Sequence, residues 1–152
     1  MKLNIELDDT LAADALRVTA HPDNAALSHI TKLLTALKSD PQLTFLREER
    51  AYFFPVGDVL FFETQRDAVV AHTTREIYAV KETLAKLEDI LPHTFLRVSK
   101  SAIANTAHIF SISRNLTATS LIEFANTHKQ IYVSRRYYRQ LHDLLEQRGH
   151  IL

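Results

Sequence analysis

GDVLFFETQRDAVVAHTTREIYAV, residues 57–80, is the stretch that decides the fold. It holds three short runs of aromatic and β-branched residues, Val59 to Phe62, Ala68 to Thr73 and Ile77 to Val80, and that composition at that length predicts strands. Gly57-Asp58 and Thr74-Arg75 supply turn or loop chemistry, and Gln65-Arg66-Asp67 forms a polar tip between two of the runs. Upstream, Leu43 to Leu46 and Tyr52 to Val56 read the same way. Downstream, Val80, Leu84, Leu87 and Leu91 recur on one helical face that ends before Pro92. Strands resume at Phe95 to Val98, Ile109 to Ile112, Ser120 to Phe124 and Gln130 to Val133. A last helix follows Ser134, with Tyr137 or Tyr138, Leu141, and Leu144 or Leu145 on its apolar face.

The N-terminal forty residues differ. Leu3 to Leu7 alternates apolar and polar as a strand does, and Ala15 to Thr19 is a weaker second one. His21-Pro22-Asp23-Asn24 then supplies a stop and a cap, and Leu27, Ile30, Leu34 and Leu37 space a helix that Ser39-Asp40-Pro41 ends. The expectation is a mainly β chain with a few helices (α+β), a small ββα unit over residues 1–42 preceding a strand-rich domain over 43–149. The N-terminal unit is too short for the receiver domain of a response regulator and lacks its βα alternation. No internal repeat or low-complexity tract is visible.

A chain of 152 residues with 46% hydrophobic content is long enough for one core, or a domain with a small appendage. Nothing approaches the roughly 18 consecutive apolar residues a membrane-spanning helix needs, and the acidic N-terminus is unlike an export signal. The absence of cysteine excludes disulfides and thiolate metal sites and fits a cytoplasmic setting. Asn115-Leu116-Thr117 matches a glycosylation sequon, which without an export signal is accidental.

Net charge is zero, yet it is segregated. Residues 95–139 hold seven Lys/Arg (Arg97, Lys100, Arg114, Lys129, Arg135, Arg136 and Arg139) against one acid, Glu123, whereas residues 1–94 hold ten against fifteen. An anion-seeking face in the C-terminal part follows from that asymmetry.

Two short places concentrate it. Ser134 is a good N-cap, so Ser134-Arg135-Arg136 puts two arginines in the first turn of the last helix. The helix dipole makes that end positive, and a cation there forfeits about 0.3–1 kcal/mol where an acid would gain it. Pairing with Glu63 or Glu123 is one explanation; a phosphate site with arginine available for guanine is the other, and it explains the pair better. The second place is Arg97-Val98-Ser99-Lys100-Ser101, two cations and two hydroxyls with no nearby acid, which are phosphate-contacting types but also what a solvated strand end looks like. Asn105 is as well suited to capping or turning the loop as to a contact.

Enzyme chemistry finds little footing. With only Gly57 and Gly149, phosphate loops, dinucleotide fingerprints and nucleophile elbows are absent. Eight histidines lack metal-ligand spacing, and Glu48-Glu49 and Asp8-Asp9 read as solvated charge. No catalytic residue, metal or cofactor is expected.

Read in order, GDVLFFET (57–64), LEDILP (87–92), FLRVSKSAIAN (95–105) and IYVSRRYYRQLHDLL (131–145) resemble the LytTR DNA-binding family. The likeness spans about 105 residues, and the short N-terminal segment resembles that of compact bacterial regulators without a receiver. It implies short antiparallel sheets stacked in an elongated sandwich that reads double-stranded DNA with loops. It also implies three contact places: Lys100 at a base with Arg97, Ser99 and Ser101 near phosphates; Ser134, Arg135 and Arg136 at the helix corner; and Arg66 in the Gln65 to Ala68 loop. Two departures stand out. Ser99-Lys100 occupies positions where the family often has His-Arg, and Asn126 to Lys129 replaces a hairpin glycine. The expected function is a cytoplasmic transcription regulator that binds duplex DNA sequence-specifically in the major groove, as a homodimer on paired or repeated sites. The alternative is a protein-interaction or ligand-sensing module whose basic face meets an acidic partner.

Overall fold

A computed structural model describes residues 2–12, 15–35, 40–114 and 119–147. The chain divides into two compact units, residues 1–35 and 36–152. In the first, α1 (Leu27–Thr35) forms where the apolar spacing places it, with Asn24 Oδ1 accepting from the Ala26 N–H at 2.9 Å just ahead of it. The two expected strands do not form. Residues 2–7 and 15–20 carry no strand, and Leu3, Ile5 and Leu7 are 80%, 77% and 94% exposed. Alternation marks a strand only where a sheet receives its apolar face, and among the described residues no strand pairs with these.

The second unit contains the rest. Its strands are β1 (Phe45–Arg47), β2 (Arg50–Tyr52), β3 (Phe61–Gln65), β4 (Ala68–His72), β5 (Ile77–Val80), β6 (Phe95–Ser99), β7 (Ala102–Asn105), β8 (Ile109–Arg114), β9 (Ser120–Phe124) and β10 (Gln130–Val133). Two helices, α2 (Leu84–Ile90) and α3 (Arg135–Gln147), complete it. A seven-stranded sheet runs β2-β1-β5-β4-β3-β7-β6 and a three-stranded one β10-β9-β8, with every pairing antiparallel.

Phe61 and Phe62 explain the layering. Adjacent residues of a strand point to opposite faces, yet both are buried, so β3 must be covered on both sides. On one face Phe62 packs with Phe45, Leu84, Leu87 and Phe95 under α2. On the other, Phe61 joins Val98, Ile122, Phe124, Val133 and Leu141 between the large sheet, the small sheet and α3. Full burial of a Phe or Leu side chain is worth about 1.5–3 kcal/mol, which commits each layer to its place. Thr83 caps α2, its hydroxyl oxygen accepting from the Lys86 N–H at 3.2 Å.

The loop expected after Ser99 is a turn only at Lys100-Ser101; beyond it Ala102–Asn105 form β7, which lies between β3 and the edge strand β6. All four residues of β7 are buried, so it shows no alternation to betray it, and Ala102 and Ala104 are weak strand formers. The strand expected over Tyr52 to Val56 lies earlier, at Arg50–Tyr52, and the chain turns through a 3-10 helix at Val56–Asp58. Asn105 is structural: 1% exposed, its side-chain amide donates to the carbonyls of Gly57 (3.2 Å) and Val59 (2.9 Å), and its Oδ1 accepts from the Ala107 N–H (3.1 Å). Among the described residues no helix is long and apolar enough to cross a membrane.

Candidate nucleic-acid interface

Antiparallel pairing decides which turns meet. Glu63 of β3 pairs Ala102 of β7, so the turn leaving β3 and the turn entering β7 share one end of the large sheet. The Thr64 N–H donates to the Ser101 carbonyl at 2.9 Å and joins the two turns. The Ser134 N–H donates to the Val98 carbonyl, also at 2.9 Å, and brings the β10–α3 corner beside them. Arg66, Ser99 to Ser101, and Ser134 to Arg136 are thereby gathered at one end by main-chain bonds, although up to 70 positions separate them in sequence.

Each place has its own local construction. Gln65 pairs Ala68, leaving Arg66 and Asp67 as a two-residue turn with φ 47° and 66°. That left-handed geometry suits Asn-Gly, and an arginine held there is strained. Arg66 is exposed, and no ion pair engages it among the described residues.

At the second place, Ser99 pairs Ala102 across Lys100-Ser101, and the register shifts between Arg97 and Ser99, a bulge that re-aims the strand end. Arg97 is spent inside the turn. Its Nε donates to the Ser99 carbonyl at 2.7 Å, one terminal nitrogen donates to the Lys100 carbonyl, and the other meets Glu88 of α2 at 3.0 Å. The Ser101 N–H donates to the Ser99 hydroxyl oxygen at 3.2 Å. Lys100 stays exposed at the tip, with no ion pair among the described residues.

At the third place, the first turn of α3 holds Arg135 and Arg136 and no acid. The Arg136 guanidinium lies 5.5 Å from the Tyr137 ring centroid. Of the two acids expected as partners, Glu63 bonds His72 (2.7 Å) and Gln65 (2.6 Å), and Glu123 bonds Ser111 and Gln130 (both 3.0 Å). One cation that nothing in the sequence singled out joins this end. Arg114, the last residue of β8, places its guanidinium 4.7 Å from the Tyr138 centroid. Its neighbourhood was legible only through pairing that is invisible in sequence order.

Two polar groups lie elsewhere. His72 is buried, stacked on Phe61 (4.2 Å) and bonded through Nε2 to Glu63, while its Nδ1 has no partner. Burial pushes its pKa below the usual value, opposed by Glu63 and reinforced by Lys129. Lys129, its own pKa lowered by burial, donates to the Glu76 carbonyl at 3.2 Å. On α3, His142, Asp143 and Glu146 come within 4.8 Å of one another, with a His142–Glu146 ion pair at 3.8 Å on the helix surface.

The chain matches the family model described as LytTr DNA-binding domain over residues 49–146. It is 26% identical over 145 residues, 95% of this chain and 98% of the relative, to an uncharacterized HTH-type transcriptional regulator of Staphylococcus aureus strain NCTC 8325 / PS 47. The counterpart in strain MRSA252 is 25% identical with the same coverage. A solved LytTr DNA-binding domain from Bacillus cereus superposes with a TM-score of 0.64 at 23% identity, covering 69% of this chain and 97% of that one, a likeness of fold. Strands separate all three helices in the described residues of this chain, so no two of them form a helix-turn-helix.

Proposed function

Because the chain belongs to the LytTr DNA-binding domain family, we propose that it is a bacterial, cytoplasmic transcription regulator that reads double-stranded DNA sequence-specifically, with turns set into the major groove. Residues 43–149 form the DNA-binding domain. Lys100 and one of Arg135 or Arg136 read base edges, Arg66 contacts the duplex from the β3–β4 turn, and Ser99, Ser101 and Ser134 meet phosphates. Arg97 serves the same face from behind, as the clamp that shapes the Lys100 turn.

The observation that carries this reading is the convergence of three turns on one end through the Thr64–Ser101 and Ser134–Val98 main-chain bonds. A protein surface with arginines in a helix's first turn and no acid there favours anions. Two molecules act on paired sites, with residues 1–42 as the self-association segment. A small module buries limited area on DNA, and pairing two raises affinity through effective concentration.

Selection of bound duplexes from a random pool by the full chain tests activity and yields the site together. Arg136→Ala and Lys100→Ala should each then weaken binding by about 1–3 kcal/mol and relax preference at one base position. Binding by both variants equal to wild type, with the same salt slope, overturns the assignment of this face. Light scattering of the chain with and without residues 1–42 reads the self-association.

A further inference from the structure

We propose that Arg114 is a further DNA-contacting residue, one that holds a backbone phosphate beside the groove entered by the Ser134–Arg136 corner. This rests on the reading of that corner as the DNA-facing one. Arg114 pairs Ser120 across β8 and β9, and Ser120 pairs Val133 across β9 and β10, one residue before the corner. Two strand spacings separate Arg114 from Val133, about 10 Å at roughly 4.8 Å per step. The major groove is about 12 Å wide. A cation displaced sideways by nearly the groove's width from a group seated on base edges meets the sugar–phosphate wall.

The chemistry of the pair fits that position. Arg114 is exposed, and its guanidinium rests 4.7 Å from the centroid of Tyr138, a half-buried residue of α3 packed against the second core. Stacking uses the face of a guanidinium and leaves its five N–H donors, which lie in the plane, available. The ring restrains a flexible side chain without quenching its charge. Arg47 and Arg97 are used otherwise: each meets a glutamate, Glu76 at 2.9 Å and Glu88 at 3.0 Å. Among the described residues no acid or hydrogen-bond acceptor engages the Arg114 side chain.

A phosphate contact has a signature distinct from a base contact. Losing it lowers the slope of log affinity against log salt by about 0.9 and weakens selected and scrambled duplexes by the same factor, since phosphates carry no sequence information. The test uses the full chain and the duplex recovered from the random pool, comparing wild type, Arg114→Ala, Arg114→Lys, Tyr138→Leu and Arg136→Ala, with thermal unfolding of each. The expected result is a slope reduced by about 0.9 for Arg114→Ala, retained for Arg114→Lys, and reduced for Tyr138→Leu in a folded protein. An unchanged slope for Arg114→Ala beside a weakened Arg136→Ala overturns the inference and leaves the corner assignment standing. So does a lowered unfolding midpoint for Arg114→Ala with an unchanged slope, which makes the stack a structural pin. If Arg136→Ala also binds as wild type does, the corner assignment itself fails and the inference falls with it.

Discussion

Two hairpins of the large sheet provide a matched pair for separating stability from recognition. β1 and β2 are joined by Glu48-Glu49 with φ 50° and 63°, and β3 and β4 by Arg66-Asp67 with φ 47° and 66°. Four side chains thus occupy the left-handed region, where a Cβ costs about 1–2 kcal/mol per residue, and where Asn-Gly is preferred because glycine escapes that cost and asparagine tolerates it. Replacing Arg66 by Asn together with Asp67 by Gly removes most of the strain of one turn. The greater freedom of glycine in the unfolded chain offsets about 0.5–1 kcal/mol of that gain. A net stabilisation of about 1 kcal/mol remains, roughly 3 °C in the unfolding midpoint of a chain this long. The same exchange at Glu48-Glu49 should stabilise equally. Calorimetry measures both, and duplex titration measures the other half: the Arg66 variant should lose about 1–3 kcal/mol of DNA affinity, roughly 5- to 150-fold, and the Glu48 variant none. A midpoint that falls in both variants refutes the strain argument. Equal stabilisation with unchanged DNA affinity in both refutes the contact assigned to Arg66.

Three more outcomes follow from the geometry. Arg97→Ala should weaken DNA binding without removing a contact, by releasing the Ser99 and Lys100 carbonyls; combined with Lys100→Ala it should add little further loss, a non-additivity that a double-mutant cycle reads directly. Asn105→Ala strips partners from the Val59 carbonyl and the Ala107 N–H, and should destabilise by about 2–3 kcal/mol in urea unfolding at unchanged slope. His72 holds a folded-state pKa below its unfolded value of 6.5, so between the two the unfolded chain binds more protons and stability rises with pH. Its contribution is complete above about pH 6.5 and lost as pH falls toward the folded value. Wild type should lose more stability than His72→Gln between about pH 7.5 and pH 5, and equal losses would remove His72 from the account.

How far the sequence discloses the molecule depends on which physical signal each part carries. β5, β9 and β10 have the bounds expected of them, since turn residues punctuate runs of β-branched and aromatic side chains there. β7 is hidden because a strand buried on both faces has no period, and its two alanines resemble loop or helix. At the N-terminus the failure is reversed: Leu3, Ile5 and Leu7 alternate, but alternation specifies a face and not the partner that covers it. The basic end was legible as a charge asymmetry and as two motifs. That Arg97 turns inward and Arg114 joins the same end was not, because both facts come from cross-strand register, which links positions far apart in sequence. The left-handed position expected of a glycine after β9 is taken by Asn126 at φ 63°, the residue type that bears it best after glycine.

The bonds that gather the three turns run from main chain to main chain, Thr64 to Ser101 and Ser134 to Val98. Peptide groups are the same whatever side chain they carry, so the frame that aims the tips is indifferent to what stands at positions 66, 100, 135 and 136. On the proposed reading, those four positions form an exchangeable set: substitutions there would alter what is read while the reader keeps its shape, one tip at a time. A lineage can therefore move from one target sequence to another by single replacements at the rim, each leaving Phe61, Phe62 and the layers behind them untouched.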